Sequence, residues 1–527
     1  MTATALPVAP DALAASGTAE CAELATVPVW WRRSADLHKQ AIARAARPDY
    51  EAWLSHVKSA SACMRPVRLA GTIATIEAAT GRLLAERSTS DMPDGVIYKP
   101  CGNRRDSVCP SCSQLYKRDA YHVVRTGLVG GKGVPDEVAH HPAVFPTLTA
   151  PSFGPVHTRT VRRHTCTRRT DCDCRPEPCH ARRDLALCPH GQRLACFARH
   201  DADDHRLGTP LCLDCYDHDG QTVWNVMAGE LWRRTTIAVN RHLRRLCKAR
   251  GIAYVATISA SGKPKRVPPV RLSFGKAAEM QRRGVVHFHA IARLDGVHPT
   301  DPNAVVPPPP GIDADDLKVA IDHAAATVHF TIEAHPARPE GWQIGWGDQV
   351  LTKVVTVAGQ GEVTDAQVAA YLAKYATKAT EITGHTSPRL DRGDLATVEL
   401  YANPTGTHVE RLVWASVWLG RHDGWRRLRR WAHMLGFGGH FLTKSRRYST
   451  TFGRLREQRI VFRRNASSGP DSPAEAPTEP TTLIVNFLQF VGAGWHTTAD
   501  ALLANTSAAM AREHAEAARQ ALPTLAA

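Results

Sequence analysis

The stretch Val285-Val286-His287-Phe288-His289-Ala290-Ile291 decides how this chain is read. It is rich in β-branched and apolar residues and holds no breaker, so it is expected to form a strand. Side chains alternate along a strand, so His287 and His289 project from one face while Phe288 points to the other and anchors the strand in a core. Two imidazoles on one face offer nitrogen ligands to a divalent cation. Glu279, upstream on the adjoining turn or edge, supplies an oxygen ligand, and Gln281 is an alternative third ligand. A strand that merely happens to carry two histidines has the same local pattern, so further pieces are needed.

The second piece is Val368-Ala369-Ala370-Tyr371-Leu372-Ala373-Lys374-Tyr375-Ala376-Thr377-Lys378, a run of strong helix formers. Tyr371 and Tyr375 share one helix face, as do Lys374 and Lys378, and each tyrosine has a lysine three residues later. A phenol with a pKa of about 10 is a poor nucleophile at neutral pH. A metal polarising a phosphate, with an ammonium group nearby, favours its deprotonation and attack, which makes these four residues the catalytic candidates. The plainer alternative is an amphipathic helix with aromatic core residues. The third piece is Phe145-Pro146-Thr147-Leu148-Thr149, an alternating strand able to pair beside the histidine strand.

Around these pieces the chain divides into six segments: an N-terminal segment 1–60; a zinc-ribbon module with a helix, 61–140; a nuclease domain 141–400, interrupted by a Cys/His-rich insert at 164–218; a basic extension 401–464; a Pro/Ser/Glu-rich linker 465–482; and a helical tail 483–527. A long amphipathic helix is expected over about Trp224–Arg250. No run of about 18 apolar residues exists and the first residues lack a secretory pattern, so a cytoplasmic protein without a membrane partner is expected. The net charge of +16 points to a polyanionic partner, nucleic acid first.

Fourteen cysteines without an export signal favour metal over disulfides. Cys109-Pro-Ser-Cys112 has knuckle spacing, and with Cys101 and Cys63 it makes a four-cysteine structural zinc site. In the insert, Cys188, Cys196, Cys212 and Cys215 are the preferred zinc ligands, beside Cys188-Pro-His190. Cys166, Cys172, Cys174, Cys179, His180, His200 and His205 compete for the same or a further ion. Cys21 and Cys247 read as ordinary reduced cysteines. Between Arg421 and Arg464 arginines outnumber acids and alternate with aromatics; Arg426, Arg427, Arg429, Arg430, Lys444, Arg446 and Arg447 are the DNA-contact candidates. Trp425–Met434 is expected to be a helix with its tryptophans packed inward.

Taken in this order, the pieces resemble the His-hydrophobic-His (HUH) endonuclease superfamily of rolling-circle initiators and relaxases. Tyr371-Leu-Ala-Lys-Tyr375-Ala-Thr-Lys378 looks like its two-tyrosine branch, which includes bacteriophage A-type initiators. Cys101-Gly-Asn-Arg-Arg, Cys109-Pro-Ser-Cys112, Arg283-Gly-Val-Val-His287-Phe-His289 and Gly439-His-Phe-Leu-Thr-Lys-Ser-Arg-Arg-Tyr448 resemble replication initiators of actinobacterial plasmids and integrative conjugative elements, over about Cys63 to Arg464. Pro146 departs from the pattern, which usually has an aliphatic residue there.

The resemblance implies an α+β fold: a central antiparallel sheet (a ferredoxin/RRM-like palm), the histidine pair on a middle strand, the tyrosine helix packed across it, zinc ribbon modules, and a helical basic C-terminal region. It implies that one tyrosine attacks a phosphodiester of origin DNA, leaving a 5′-phosphotyrosine and a 3′-OH primer. The implied catalytic cofactor is Mg²⁺ or Mn²⁺, and the implied partners are origin DNA, a host polymerase and a host helicase, because no phosphate-binding loop of the Gly-x-x-x-x-Gly-Lys-Ser/Thr type is present. A two-tyrosine transposase shares the chemistry, and a non-catalytic zinc-dependent DNA-binding protein is the alternative from another class.

Overall fold

The computed structural model describes residues 29–161, 176–182, 187–259, 261–332, 334–356, 363–377, 380–383, 401–467 and 482–521. They form two compact units, 1–101 with 476–527, and 102–475.

In the first unit, helices α1 (Val29–Ala45) and α2 (Tyr50–Val57) precede strands β1 (Val67–Glu77), β2 (Leu83–Ser88) and β3 (Ile97–Lys99). A strand from the far end of the chain, Thr482–Ala493, pairs antiparallel along the whole of β1. The segment read as a helical tail therefore opens with a strand, and the helix follows at Thr498–Ala521. Its near-continuous apolar run, Leu483-Ile484-Val485-Asn486-Phe487-Leu488, lacks the alternation that would have marked it. Asp94 ties this unit together, accepting from Trp53 Nε1 (2.8 Å), Tyr98 Oη (2.9 Å) and Arg44 Nη2 (2.9 Å).

The second unit holds α3 (Pro110–Val129), β4 (Ala143–Leu148), α4 (His218–Ala249), the hairpin β5 (Val255–Ile258) and β6 (Pro264–Val267), then β7 (Val270–Met280) and β8 (Val286–Gly296). It continues with α5 (Ala314–Thr327), the short pair β9 (His329–Thr331) and β10 (Gln343–Gly345), β11 (Val350–Thr356), β12 (Val363–Thr364) and α6 (Asp365–Ala376). The unit ends with α7 (His408–Leu419), α8 (Arg426–Arg430), β13 (Leu442–Lys444) and α9 (Phe452–Ser467). Its central sheet has six strands in the order β12-β11-β4-β8-β7-β13, antiparallel except for β11 and β12. The histidine strand β8 is thus interior. Phe145–Thr149 does run beside it: the ladder pairs Val144 with Ala292, skips Phe145 and Pro146, and resumes with Thr147 opposite His289. The gap falls where proline has no N–H to give.

Alternation along β8 splits the core. Phe288 and Ala290 pack with Trp224, Leu231 and Trp232 of α4, and Ala292 and Leu294 with Leu243 of α4 and Leu317 and Ile321 of α5. On the other face Ile291 and Ala277 pack with Val124 and Leu128 of α3 and Val368, Ala369 and Leu372 of α6. Tyr448 completes that layer. A Cβ on Gly127 would fall 2.2 Å from its ring and one on Gly275 2.7 Å, so both glycines are needed for the ring to fit. Below it, Arg293 and Asp295 are fully buried and paired at 2.7 Å, with Ser273 and His141 also on the carboxylate. That buried network fixes the end of the sheet away from the histidine pair.

The tyrosine helix is positioned locally. Thr364 and Gln367 form a reciprocal capping box at its start, and Arg125 of α3 holds Asp365 at 3.0 Å. The helix expected over Trp425–Met434 is instead α8 followed by a 3-10 turn at Ala432–Met434, stopped by left-handed Leu435. Trp425 packs inward on Trp342. The linker reading falls largely on residues outside those described.

Candidate active site

Glu279 and His287 face each other as a pair in the β7–β8 ladder, and His289 stands opposite Ala277. Glu279 therefore lies within a strand, rather than on a turn, and its side chain projects from the histidine face. Its Oε2 is 2.8 Å from His287 Nε2 and 2.9 Å from His289 Nε2, and the two ring nitrogens are 3.1 Å apart. Adjacent ligands of an octahedral ion with bonds of about 2.1 Å lie about 3.0 Å apart, so this N₂O triangle suits one face of a Mg²⁺- or Mn²⁺-like shell.

The outer contacts leave Nε2 of His289 free to face the triangle: Thr147 Oγ1 lies 3.0 Å from its Nδ1 and can accept that proton. Gln281, the alternative ligand, has its amide nitrogen 3.1 Å from His287 Nδ1, the ring edge that does not face Glu279. Burial pushes the Glu279 carboxyl up, but hydrogen bonds and charge from the two histidines outweigh it and hold it at about 2. Burial pushes His289 down. An ionised carboxylate beside neutral imidazole is the protonation state in which such groups bind a cation.

Tyr371 Oη lies 3.3 Å from His289 Nε2. Its ring is edge-on to His289 and to Phe145, while Tyr375 stacks on His289 at 5.8 Å and lies 4.6 Å from Tyr371. Burial, then the charge of Glu279, raises the Tyr371 phenol, and burial raises Tyr375 as well. Lys374 is exposed, with Nζ 5.8 Å from the Tyr375 ring. Lys378 lies outside the described residues.

The hairpin turn between the two ligand strands is held by buried polar side chains of α4. Asn225 donates to Gly284 O and accepts from Val286 N, and Gln221 donates to Arg283 O. Neither was singled out in the sequence, where a lone Asn or Gln in an amphipathic helix gives no signal.

In the insert, Cys188, Cys212 and Cys215 come together with His190, not with Cys196. Cys188 Sγ is 3.6 Å from Cys212 Sγ, and His190 Nδ1 is 3.2 Å from Cys215 Sγ and 3.9 Å from Cys212 Sγ. A tetrahedral zinc with sulfur at about 2.3 Å and nitrogen at about 2.05 Å spaces its ligands by about 3.3–3.8 Å, so these four fit it. Cys196 sits instead with Cys179, His157 and His200. His180 is adjacent to Cys179, and His205 is exposed near Asp204. Cys166, Cys172, Cys174 and Cys21 lie outside the described residues. In the first unit Cys101 N donates to Cys63 Sγ at 3.3 Å; in the second, Cys109 and Cys112 are buried at the start of α3. Cys247 is buried in the core beside Leu243.

Of the basic candidates, Arg427, Arg430 and Arg446 are exposed, and exposed Arg426 pairs with Asp423 at 2.7 Å. Arg429, Lys444 and Arg447 are half-buried, and Lys444 Nζ donates to the carbonyls of Ser445 and Arg446. Burial lowers the Lys444 ammonium.

Fold and site together define a mixed helix-and-antiparallel-sheet protein with several Cys/His groups able to hold metal ions. Residues 49–509 match the family described as "Replication initiator protein, pSAM2", and the chain belongs to that family. It is also similar to the replication initiator protein of Streptomyces ambofaciens, with 37% identity over 485 residues that cover 91% of this chain and 94% of the relative. No solved structure matches. Among the described residues no helix is long and apolar enough to cross a membrane. Membership of this family implies binding of origin DNA.

Proposed function

We propose that this initiator is an HUH-type endonuclease that nicks one strand at a plasmid or mobile-element origin by tyrosine transesterification. The observation that carries the reading is the 3.3 Å approach of Tyr371 Oη to His289 within a Glu279–His287–His289 ligand triangle. Tyr371 Oη bonds to phosphorus as the P–O3′ bond breaks; the phenolic proton leaves Oη and the 3′-oxygen takes up a proton. The products are a 5′-phosphotyrosyl link and a free 3′-OH that primes a host polymerase.

Glu279, His287 and His289 would hold Mg²⁺ or Mn²⁺, which supplies charge to the scissile phosphate and lowers the cost of ionising the phenol. His289 and Phe145 fix the Tyr371 ring, and Tyr375, on the same face, is placed for a second cleavage. Lys374 adds positive charge beside the tyrosines, and Lys378 is assigned the same part from the motif alone. Cys188, His190, Cys212 and Cys215 hold a structural Zn²⁺, and the knuckle Cys109-Pro-Ser-Cys112, with Cys101 and Cys63, is assigned another from the sequence motif alone. The basic residues from Arg426 to Arg447 contact duplex phosphates, a host helicase unwinds ahead of the primer, and the protein works in the cytoplasm.

The test is incubation with a supercoiled origin plasmid and Mn²⁺, followed by mass spectrometry of the protein. The reading expects a nicked circle and a DNA adduct on a peptide containing Tyr371. A bound but unnicked plasmid with no adduct leaves only a DNA-binding protein.

A further inference from the structure

We propose that His157, Cys179, Cys196 and His200 form a second Zn²⁺ site, separate from the Cys188 group, that braces the hairpin carrying Glu279 and His287. The four ligand atoms converge within 4.8 Å of one another. Cys179 Sγ lies 3.8 Å from His157 Nδ1, Cys196 Sγ 3.5 Å from His200 Nε2, and the two imidazole nitrogens are 3.2 Å apart. These are the edges of a tetrahedron about zinc, and a Cys₂His₂ donor set is a closed structural one.

The surroundings orient the ligands as a metal requires. His200 Nδ1 donates to Asp204 at 2.7 Å, which leaves Nε2 as the free lone pair aimed at the cluster. Arg206 in turn holds that carboxylate with its backbone N–H and its guanidinium. Thr158 N donates to Cys179 Sγ at 3.2 Å, a contact that favours thiolate. Paired backbone hydrogen bonds between His180 and Cys196 set the two sulfurs side by side.

The loop that follows His200 gives the site its purpose. It ends at Cys212, so a ligand of one group stands at its start and a ligand of the other at its end. Between them, the carbonyls of Ala202 and Asp204 accept both guanidinium ends of Arg282, at 2.6 and 3.0 Å. Gly208 presses on the same turn: with φ at +87°, a Cβ there would fall 2.7 Å from the backbone of Arg282 and Arg283. His157 also pairs its backbone with Gly208 and Thr209. The turn joining β7 and β8 is thus gripped by α4 on its Arg283–Gly284 carbonyls and by this loop on Arg282. The bracing role rests on Glu279 and His287 serving the nuclease; the zinc site itself does not.

The test counts zinc in the purified full chain by mass spectrometry, with circular dichroism to check folding. C196S and C188S should each lose one equivalent of zinc, and the double variant two. H157N, which keeps the thiols, should also lose one. If C188S and C196S together lose no more than either alone, or if C196S and H157N lose none, the second site is refuted. Hydrogen exchange then reads the brace: peptides spanning 280–287 should exchange about tenfold faster in both C196S and R282A, with R282A retaining all its zinc. Unchanged exchange in both would remove the bracing role whatever the nicking activity.

Discussion

Glu279 stands directly across the β7–β8 ladder from His287, and one carboxylate oxygen reaches both imidazoles of the histidine strand. Replacing it with alanine removes the carboxylate of the triangle and leaves only the two imidazole nitrogens. Glu279→Ala should weaken Mn²⁺ binding, read by calorimetry, by 10- to 100-fold or more, in line with the loss of a ligand or its close support. Duplex origin binding should be unchanged, as it should for His287→Ala, because the triangle is separate from the proposed phosphate contacts. Loss of metal and duplex binding together would point to misfolding.

The two tyrosines are inequivalent. Tyr371 brings its hydroxyl to the ring nitrogen of His289, whereas Tyr375 offers that imidazole its ring face and hydrogen-bonds Glu279 and Tyr371 through its own hydroxyl. Tyr371→Phe should therefore abolish the first nick, and Tyr375→Phe should leave it within a fewfold of the parent while blocking a second strand transfer. A gel assay on an origin oligonucleotide separates the two steps. Full first-strand nicking by Tyr371→Phe, with none by Tyr375→Phe, would reverse the order.

The parts of this centre that were legible in the sequence are those with a strong local period. The histidine strand, the tyrosine helix and α4 each carry their own pattern, and each forms. Strand β7 was not legible as a strand, because Gly275, Lys276, Ala277, Ala278 and Glu279 are weak strand formers. It is held extended by pairing with β8 and by the Tyr448 ring lying on Gly275. Metal grouping in the insert was only partly legible. Cys-x-x-Cys at Cys212 and Cys215 is local, but the choice of His190 over Cys196 is made by the folding of a loop with few apolar anchors. His157 lies before the expected insert boundary and belongs to no spacing pattern.

Origin affinity should fall steeply with salt, since phosphate neutralisation releases counterions. Arg430→Ala and Arg446→Ala should each reduce the slope of log K against log salt by about 1, as expected for one phosphate contact. Arg426→Ala should do less, because its guanidinium is already paired with Asp423. Filter binding across a salt series measures all three, and slopes equal to the parent's for Arg430→Ala and Arg446→Ala would exclude this surface.

Acid should loosen the ligand hairpin through a buried histidine pair. His218 Nε2 lies 3.1 Å from His408 Nδ1, and His408 Nε2 lies 2.9 Å from the Arg283 carbonyl. Only a neutral His408 serves both contacts: it donates from Nε2 to the Arg283 carbonyl and accepts at Nδ1 from His218. Burial, then the neighbouring His408 and Arg411, pushes His218 down to about 3, and burial pushes His408 down to about 4. The unfolded chain takes up these protons near pH 6.5 while the folded chain refuses them until far lower. The unfolded state therefore binds more protons through this window, and stability is full above about pH 6.5 and drains away as pH falls toward 4. Between pH 7 and 5 the loss should be on the order of 2–4 kcal/mol, read by urea unfolding. His408→Gln, which keeps a donor for Arg283 without a titrating ring, should flatten this slope. The parent's full acid dependence in that variant would assign the effect to other groups.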